Sequence, residues 1–292
     1  MNFRNAASLI ESEYLARKTD AEERYRAAME ESRELYEAEK AVRCAMLDGK
    51  SDKEIAALEK TKRDIISKLG ITDSVTALPR CAVCGDTGRI GGKFCYCVRR
   101  RAAKESVGNS VLPFAFSDSD MSVFDESDRE LMEITYEKMK IFCGKFPQTK
   151  NINLLLIGKV GTGKTFLAAA IANELESRGF GALFLSAFRF NDICLKYHTS
   201  FEASRSDGLN ALIETDLLVI DDLGTESILK NVTLEYLYTV ISERMNAGRH
   251  TLITTNLNEK AIEARYGERI VSRLFSNRVC LTVELVGKDL RK

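Results

Sequence analysis

No stretch of this chain approaches the ~18 apolar residues of a membrane span, and its opening, "MNFRNAASLIESEYLARK", has no apolar run of signal-peptide length. A membrane or secretory role is therefore not expected, and the chain reads as cytoplasmic. An excess of either charge is also missing, since 43 basic side chains face 43 acidic ones, so net charge names no partner. Histidine is scarce: His198 and His250 read as surface or strand-end residues without catalytic duty. Proline occurs only at 79, 113 and 147, each time at a change of composition. Its fixed φ and missing N–H end helices and central strands, so these positions divide the chain into segments 1–78, 79–112, 113–150 and 151–292.

The first segment is rich in Glu, Arg, Lys and Ala. Leu9, Ile10, Leu35, Tyr36, Val42 and Met46 recur at helical spacing, which predicts one long helix over 3–47 ended by Gly49. Ser51 and Glu54 then form a capping-box pair opening a second helix through Ile55, Leu58, Ile65 and Leu69 to Gly70. The expected hairpin has a narrow apolar stripe. Its outer face is either a partner surface or the solvated side of a helical pair packed on the rest of the chain.

Of eight cysteines, Cys44, Cys143, Cys194 and Cys280 are scattered and read as ordinary buried or half-buried residues. The other four are concentrated in "CAVCGDTGRIGGKFCYC": Cys81-x-x-Cys84, then Cys95-x-Cys97. Four thiolates close a tetrahedral structural Zn²⁺ site, and Gly85 permits the tight turn after the first pair. The apolar residues nearby, Val83, Ile90, Phe94 and Val98, are too few to order this segment alone. Zinc contributes ~10–16 kcal/mol to such a fold, against ~2–4 kcal/mol for a disulfide that a reducing cytosol would not preserve. A redox C-x-x-C is the alternative, although that motif normally opens a helix in a thioredoxin-like fold. Arg99, Arg100, Arg101 and Lys104 follow, either for a local anionic contact or as a solvated basic turn.

From residue 151 onward short apolar runs alternate with amphipathic stretches, the pattern of a five-stranded parallel sheet covered on both faces. "GKVGTGKT" lies between a strand and a helix and fits G-x-x-x-x-G-K-[ST]. Gly158, Gly161 and Gly163 let backbone amides turn toward phosphate oxygens; Lys164 reaches the β and γ phosphates, and the Thr165 hydroxyl ligates Mg²⁺. "LLVIDD" brings Asp221 and Asp222 to a strand end, the first to hold Mg²⁺ through water and the second to orient or deprotonate the attacking water. "TTN" ends another strand at Asn256, suited to the γ-phosphate or the lytic water. "GERIVSRLF" puts Arg269 and Arg273 on one helix face, where either serves as a surface charge or as a finger on a neighbour's γ-phosphate.

Together "GKVGTGKTFLAAAIANEL", "DLLVIDDLGTE", "LITTNL" and "YGERIVSRLF" resemble the bacterial replicative helicase loaders of the DnaC/DnaI type, AAA+ ATPases, and the related IstB-like transposition helpers. The resemblance covers about 151–292. It implies an AAA+ domain in which Lys164 and Thr165 are Walker A, Asp221 and Asp222 Walker B, Asn256 sensor 1, Arg273 the arginine finger with Arg269 beside it, and Arg291 a sensor 2 arginine. Asp222 stands where many AAA+ proteins have Glu. The resemblance further implies ATP, Mg²⁺ and Zn²⁺ as cofactors, self-association through AAA+ interfaces, and delivery of a replicative DNA helicase onto single-stranded DNA. The rival within it is a transposition helper acting with a transposase on double-stranded DNA. Outside it stand a small-molecule P-loop kinase and a nucleotide-binding scaffold without turnover.

Overall fold

In the computed structural model, which describes residues 3–71, 77–107, 112–201, 205–276 and 278–290, the run "NLLL" is buried on both sides of a sheet. Leu154 and Leu156 face one apolar cluster and Leu155 the other. Successive strand residues point to opposite faces, so a strand covered twice must be apolar throughout. The sheet contains β1 (Asn153–Gly158), β2 (Ala182–Ser186), β3 (Leu217–Leu223), β4 (His250–Thr255) and β5 (Cys280–Leu285). All neighbouring pairs are parallel, in the order β2-β3-β4-β1-β5. The five-stranded parallel sheet is thus as expected, and its order places β4 between β1 and β3.

Contacts divide the chain into two units, Ala7–Ile90 and Met1–Ala6 with Gly91–Lys292. In the first unit the single helix expected over 3–47 is two, α1 (Phe3–Glu31) and α2 (Arg33–Leu47). Ser32 makes the break: its backbone is extended, and its hydroxyl accepts from the Leu35 N–H at 3.3 Å as an N-cap. Helical periodicity passes through this point and does not reveal it. α3 (Asp52–Lys68) starts as expected, with the Glu54 carboxylate accepting from the Ser51 N–H at 3.1 Å and hydroxyl at 2.7 Å. Leu35, Ile65 and Ile66 form its small core with Tyr25, Met29 and Ile71. Cys44, expected to be at least half-buried, is exposed on α2.

In the second unit α4 (Tyr96–Val107) carries the basic turn. Its Val98, Ala102 and Val107 are buried, Arg99 lies 3.4 Å from Asp216, and Lys104 lies 3.3 Å from Glu176. The anions that Arg99 and Lys104 meet are therefore in this chain. α5 (Glu126–Lys145) and α6 (Lys164–Ser177) cover one sheet face; α7 (Ala187–Thr199), α8 (Arg205–Glu214), α9 (Thr233–Asn246), α10 (Glu259–Tyr266) and α11 (Glu268–Leu274) complete the unit. Ala168, Ala169, Ala170 and Ala172 of α6 are fully buried, small residues that let this helix approach the sheet closely.

At the start of β4 His250 is 2% exposed, with Nε2 2.7 Å from the Thr149 hydroxyl oxygen. Burial, then the charge of Arg244, lowers its pKa from 6.5 to about 4. The folded chain thus keeps His250 neutral where the unfolded chain protonates it, so its contribution is present above pH 6.5 and is lost as pH falls toward 4. Urea unfolding followed between these pH values should show roughly 3 kcal/mol of this loss, and His250→Gln should remove that part of the pH dependence.

Candidate functional site: a nucleotide cavity at the strand ends

Gly158 closes β1, and a Cβ there would lie 2.4 Å from the Leu285 carbonyl oxygen, so the loop leaves the sheet where only glycine fits. Gly161 and Gly163 follow with φ of +82° and +86°, and Gly163 caps α6. The backbone between them turns toward the N-terminus of α6, where helix geometry favours an anion. Lys164, the first residue of α6, is 6% exposed; its ammonium donates to the loop carbonyls of Gly158 at 2.8 Å and Lys159 at 2.6 Å. The C-terminal segment closes over the same loop, with the Leu290 N–H donating to the Gly161 carbonyl at 3.0 Å.

Thr165 and Asp221, far apart in sequence, meet here: the hydroxyl lies 3.1 and 3.2 Å from the two carboxylate oxygens. A third group joins them that sequence reasoning missed. Thr254, fully buried on β4, donates to Asp221 Oδ1 at 2.7 Å and accepts from the Asp222 N–H at 2.8 Å. The first threonine of "TTN" carries no signal of its own, because apolar-strand periodicity is equally satisfied by an unpartnered threonine. Burial chiefly raises the Asp221 pKa, assisted by the charge of Asp222; Thr254, Thr165 and Lys164 oppose the shift. A divalent cation beside these oxygens would reverse the balance.

Asp222 has φ of +56°, one of three non-glycine residues with positive φ among those described. The pairing of β3 with β4 shifts register between Ile220 and Leu223, and Asp222 occupies that irregularity. Asp tolerates this conformation better than longer side chains, because its short polar group suits left-handed turns. The conformation directs an exposed carboxyl out of the strand end into the cavity beside Asp221.

The cavity, about 690 Å³, is lined by Gly161, Gly163, Lys164, Thr165, Asp221, Asp222 and Asn256. Its far wall is Phe114, Met121, Val123, Phe124 and Tyr136, from a region that the sequence offered only as a linker and helix. Two 3₁₀ turns, Phe116–Asp118 and Met121–Val123, hold that wall, too short for any periodic signal. The volume suits a nucleotide, with an aromatic end for a base and an amide-rich end for phosphates. The donor set at the Thr165 and Asp221 oxygens suits Mg²⁺.

Arg269 and Arg273 are not in the cavity lining. Both lie against the Tyr238 ring of α9, with guanidinium carbons 5.3 and 5.8 Å from its centroid. Arg291 lies outside the described residues. The sulfurs of Cys81, Cys84, Cys95 and Cys97 all lie within 4.8 Å of one another, a four-thiol cluster compatible with Zn²⁺. The turn carrying the first pair is pinned by Asp86, 2% exposed, which accepts from the Cys81 N–H at 2.7 Å and from Arg17 at 2.7 Å.

A phosphate loop on β1, an acidic end on β3 and a polar strand end on the intervening β4 define a P-loop ATPase domain of the AAA+ class. The family described as IstB-like ATP binding protein matches residues 141–290, just over half of the chain, and the chain belongs to that family. Replicative helicase loader DnaC of Escherichia coli (strain K12) is 34% identical over 124 residues, 42% of this chain and 49% of that protein. Replicative helicase loader DnaI of Bacillus subtilis (strain 168) is 28% identical over 132 residues, 45% of this chain and 42% of that protein. The chain spans about half the length of the curated relatives it matches. A solved structure of AMPPCP-bound DnaA from Aquifex aeolicus shares the fold, with a TM-score of 0.51 at 20% identity over 63% of this chain and 53% of that one. No described helix is long and apolar enough to cross a membrane.

Replacing Thr254 with Val keeps the shape and removes the hydroxyl. Outer-shell partners of metal ligands are typically worth 10–100-fold in metal affinity, so Thr254→Val should raise the Mg²⁺ concentration for half-maximal nucleotide binding by about tenfold. Thr254→Ser should restore it, as read by Mg²⁺ titration with a fluorescent ATP analogue.

Proposed function

We propose that this chain is an ATP-dependent loader that binds the replicative DNA helicase and places it on single-stranded DNA in the cytoplasm. The observation that carries this reading is the cavity joining Lys164, Thr165, Asp221 and Asn256, in a chain 34% identical over 124 residues to a protein named as a replicative helicase loader. In this reading Lys164 exchanges its two loop carbonyls for the β and γ phosphates of ATP, and the Thr165 hydroxyl ligates Mg²⁺ with Asp221 behind it through water. Asp222 orients or deprotonates the attacking water, and Asn256 hydrogen-bonds the γ-phosphate or that water. Bound Mg²⁺ would neutralise charge developing on the phosphate oxygens.

Arg273, with Arg269 beside it, acts on the γ-phosphate of a neighbouring copy, so hydrolysis depends on self-association. Their position on Tyr238, away from the cavity of their own chain, supports this assignment. Arg291 is the phosphate contact of the C-terminal segment.

The helical unit supplies the helicase contact. Its α2 leaves Tyr36, Met46 and Leu47 exposed, the last at 86%. Cys81, Cys84, Cys95 and Cys97 hold a structural Zn²⁺ that orders the segment between this unit and α4. A second reading, favoured by the IstB-like family description, is a helper ATPase acting with a transposase on double-stranded DNA.

Co-purification with the replicative helicase of the same cell separates the two. The loader reading predicts a complex that persists with ATP and Mg²⁺, and preference for single-stranded over double-stranded DNA in a binding titration. No complex, together with preference for double-stranded DNA, favours the transposition helper. For the cysteines, metal analysis of the purified chain should give one zinc per chain. Cys84→Ser should lower that content to background and reduce the thermal stability of residues 1–107 without changing ATP affinity.

A further inference from the structure

Glu226 is 3% exposed and lies four residues beyond Asp222, outside the cavity lining. Buried carboxylates are rare unless paired, and the partners of this one come from two places. One oxygen accepts from the Gly224 N–H at 2.9 Å, within the loop that leaves β3. The other accepts from the hydroxyl of Tyr266, itself 3% exposed at the end of α10. Arg265 donates to the Glu226 carbonyl in the same joint. Gly267 follows Tyr266 with φ of +84°, both ending α10 and starting α11, the helix that carries Arg269 and Arg273.

The loop on the other side is held just as closely. Thr225 donates from its hydroxyl to the Asp222 carbonyl at 2.8 Å, and a Cβ on Gly224 would lie 2.7 Å from the Leu257 side chain, directly after Asn256. One carboxylate therefore joins the loop behind the cavity's acidic end to the turn from which the arginine helix departs.

We propose that Glu226, through Tyr266, is a positioning residue that fixes the arginine helix α11 relative to the acidic end of β3, so that the state of a chain's own nucleotide site sets the placement of the arginines it offers to a neighbour. The inference rests on the reading of Arg269 and Arg273 as groups acting in trans. Glu226 itself is outside the cavity lining, so its role is positioning and not catalysis.

Mixed assemblies test it. Full-length chains carrying Arg269→Ala and Arg273→Ala serve as acceptors, and chains carrying Asp222→Asn, which keep Lys164 for ATP and lose the group assigned to the attacking water, serve as donors of arginines. Hydrolysis in the mixture and not in either chain alone establishes action in trans; absence of that complementation overturns the arginine reading and the trans part of this proposal with it. Tyr266→Phe, which keeps the ring, or Glu226→Ala, placed in the donor alone, should lower kcat of the mixture about tenfold with KM for ATP changed less than twofold. Unchanged kcat with a folded donor would overturn the positioning role.

A second readout does not need hydrolysis. The chain has no tryptophan, so Tyr238→Trp places one fluorophore against Arg269 and Arg273. ATP with Mg²⁺ should shift its emission, and Tyr266→Phe should abolish the shift at unchanged ATP affinity. A shift that survives Tyr266→Phe would count against the coupling even if the arginines fail to act in trans.

Discussion

Two threonine hydroxyls from different elements meet on one buried carboxylate. Thr165, in the first turn of α6, and Thr254, on β4, both donate to Asp221 at the end of β3. A carboxylate 8% exposed and without partners would cost several kcal/mol. The two donors make that position tolerable, and in doing so they fix the phosphate loop, the acidic strand end and the polar strand end against one another. The remaining strain of the site is local. Asp222 adopts a left-handed backbone at the register shift between β3 and β4, and the N–H freed there is taken up by the same Thr254 hydroxyl.

The sheet exists to bring these ends together. Apolar residues alternate between two clusters along each central strand, and the helices that bury them leave the carboxyl ends of the strands open. Ligands of open α/β sheets bind at that edge. The aromatic wall from Phe114 to Phe124 then gives the cavity its apolar end, making a nucleotide-sized space from two segments that are unremarkable separately. The same logic of shared anchors extends outward, since Glu226 binds the loop behind Asp222 to the turn before the arginine helix.

The helical unit obeys different physics. Among the described residues its main apolar cluster is Leu35, Ile65 and Ile66 with partly buried neighbours, and Ala21, Val42 and Ala45 are buried besides. Capping at Ser32 and at Ser51 with Glu54, and the buried Asp86 beneath the first cysteine pair, add hydrogen bonds of their own to this small apolar core. Such a unit leaves apolar side chains such as Leu47 and Tyr36 on its surface, where the ATPase unit places most of its own inside.

Local signals in the sequence determined the phosphate loop, the two aspartates, the Ser51 capping box, the cysteine spacing and the alternation of strands with helices, because each is a short-range pattern that backbone chemistry enforces by itself. Tertiary structure alone decided the strand order that puts β4 between β1 and β3, since side-chain period says which face is buried but not which strand lies alongside. It also decided that Arg99 and Lys104 meet acids of their own chain, that Arg269 and Arg273 rest on Tyr238, and that residues 114–124 wall the cavity. Thr254 belongs to the same class. A buried threonine satisfies a strand pattern equally well with or without a carboxylate beside it, and only the neighbouring strand supplies one.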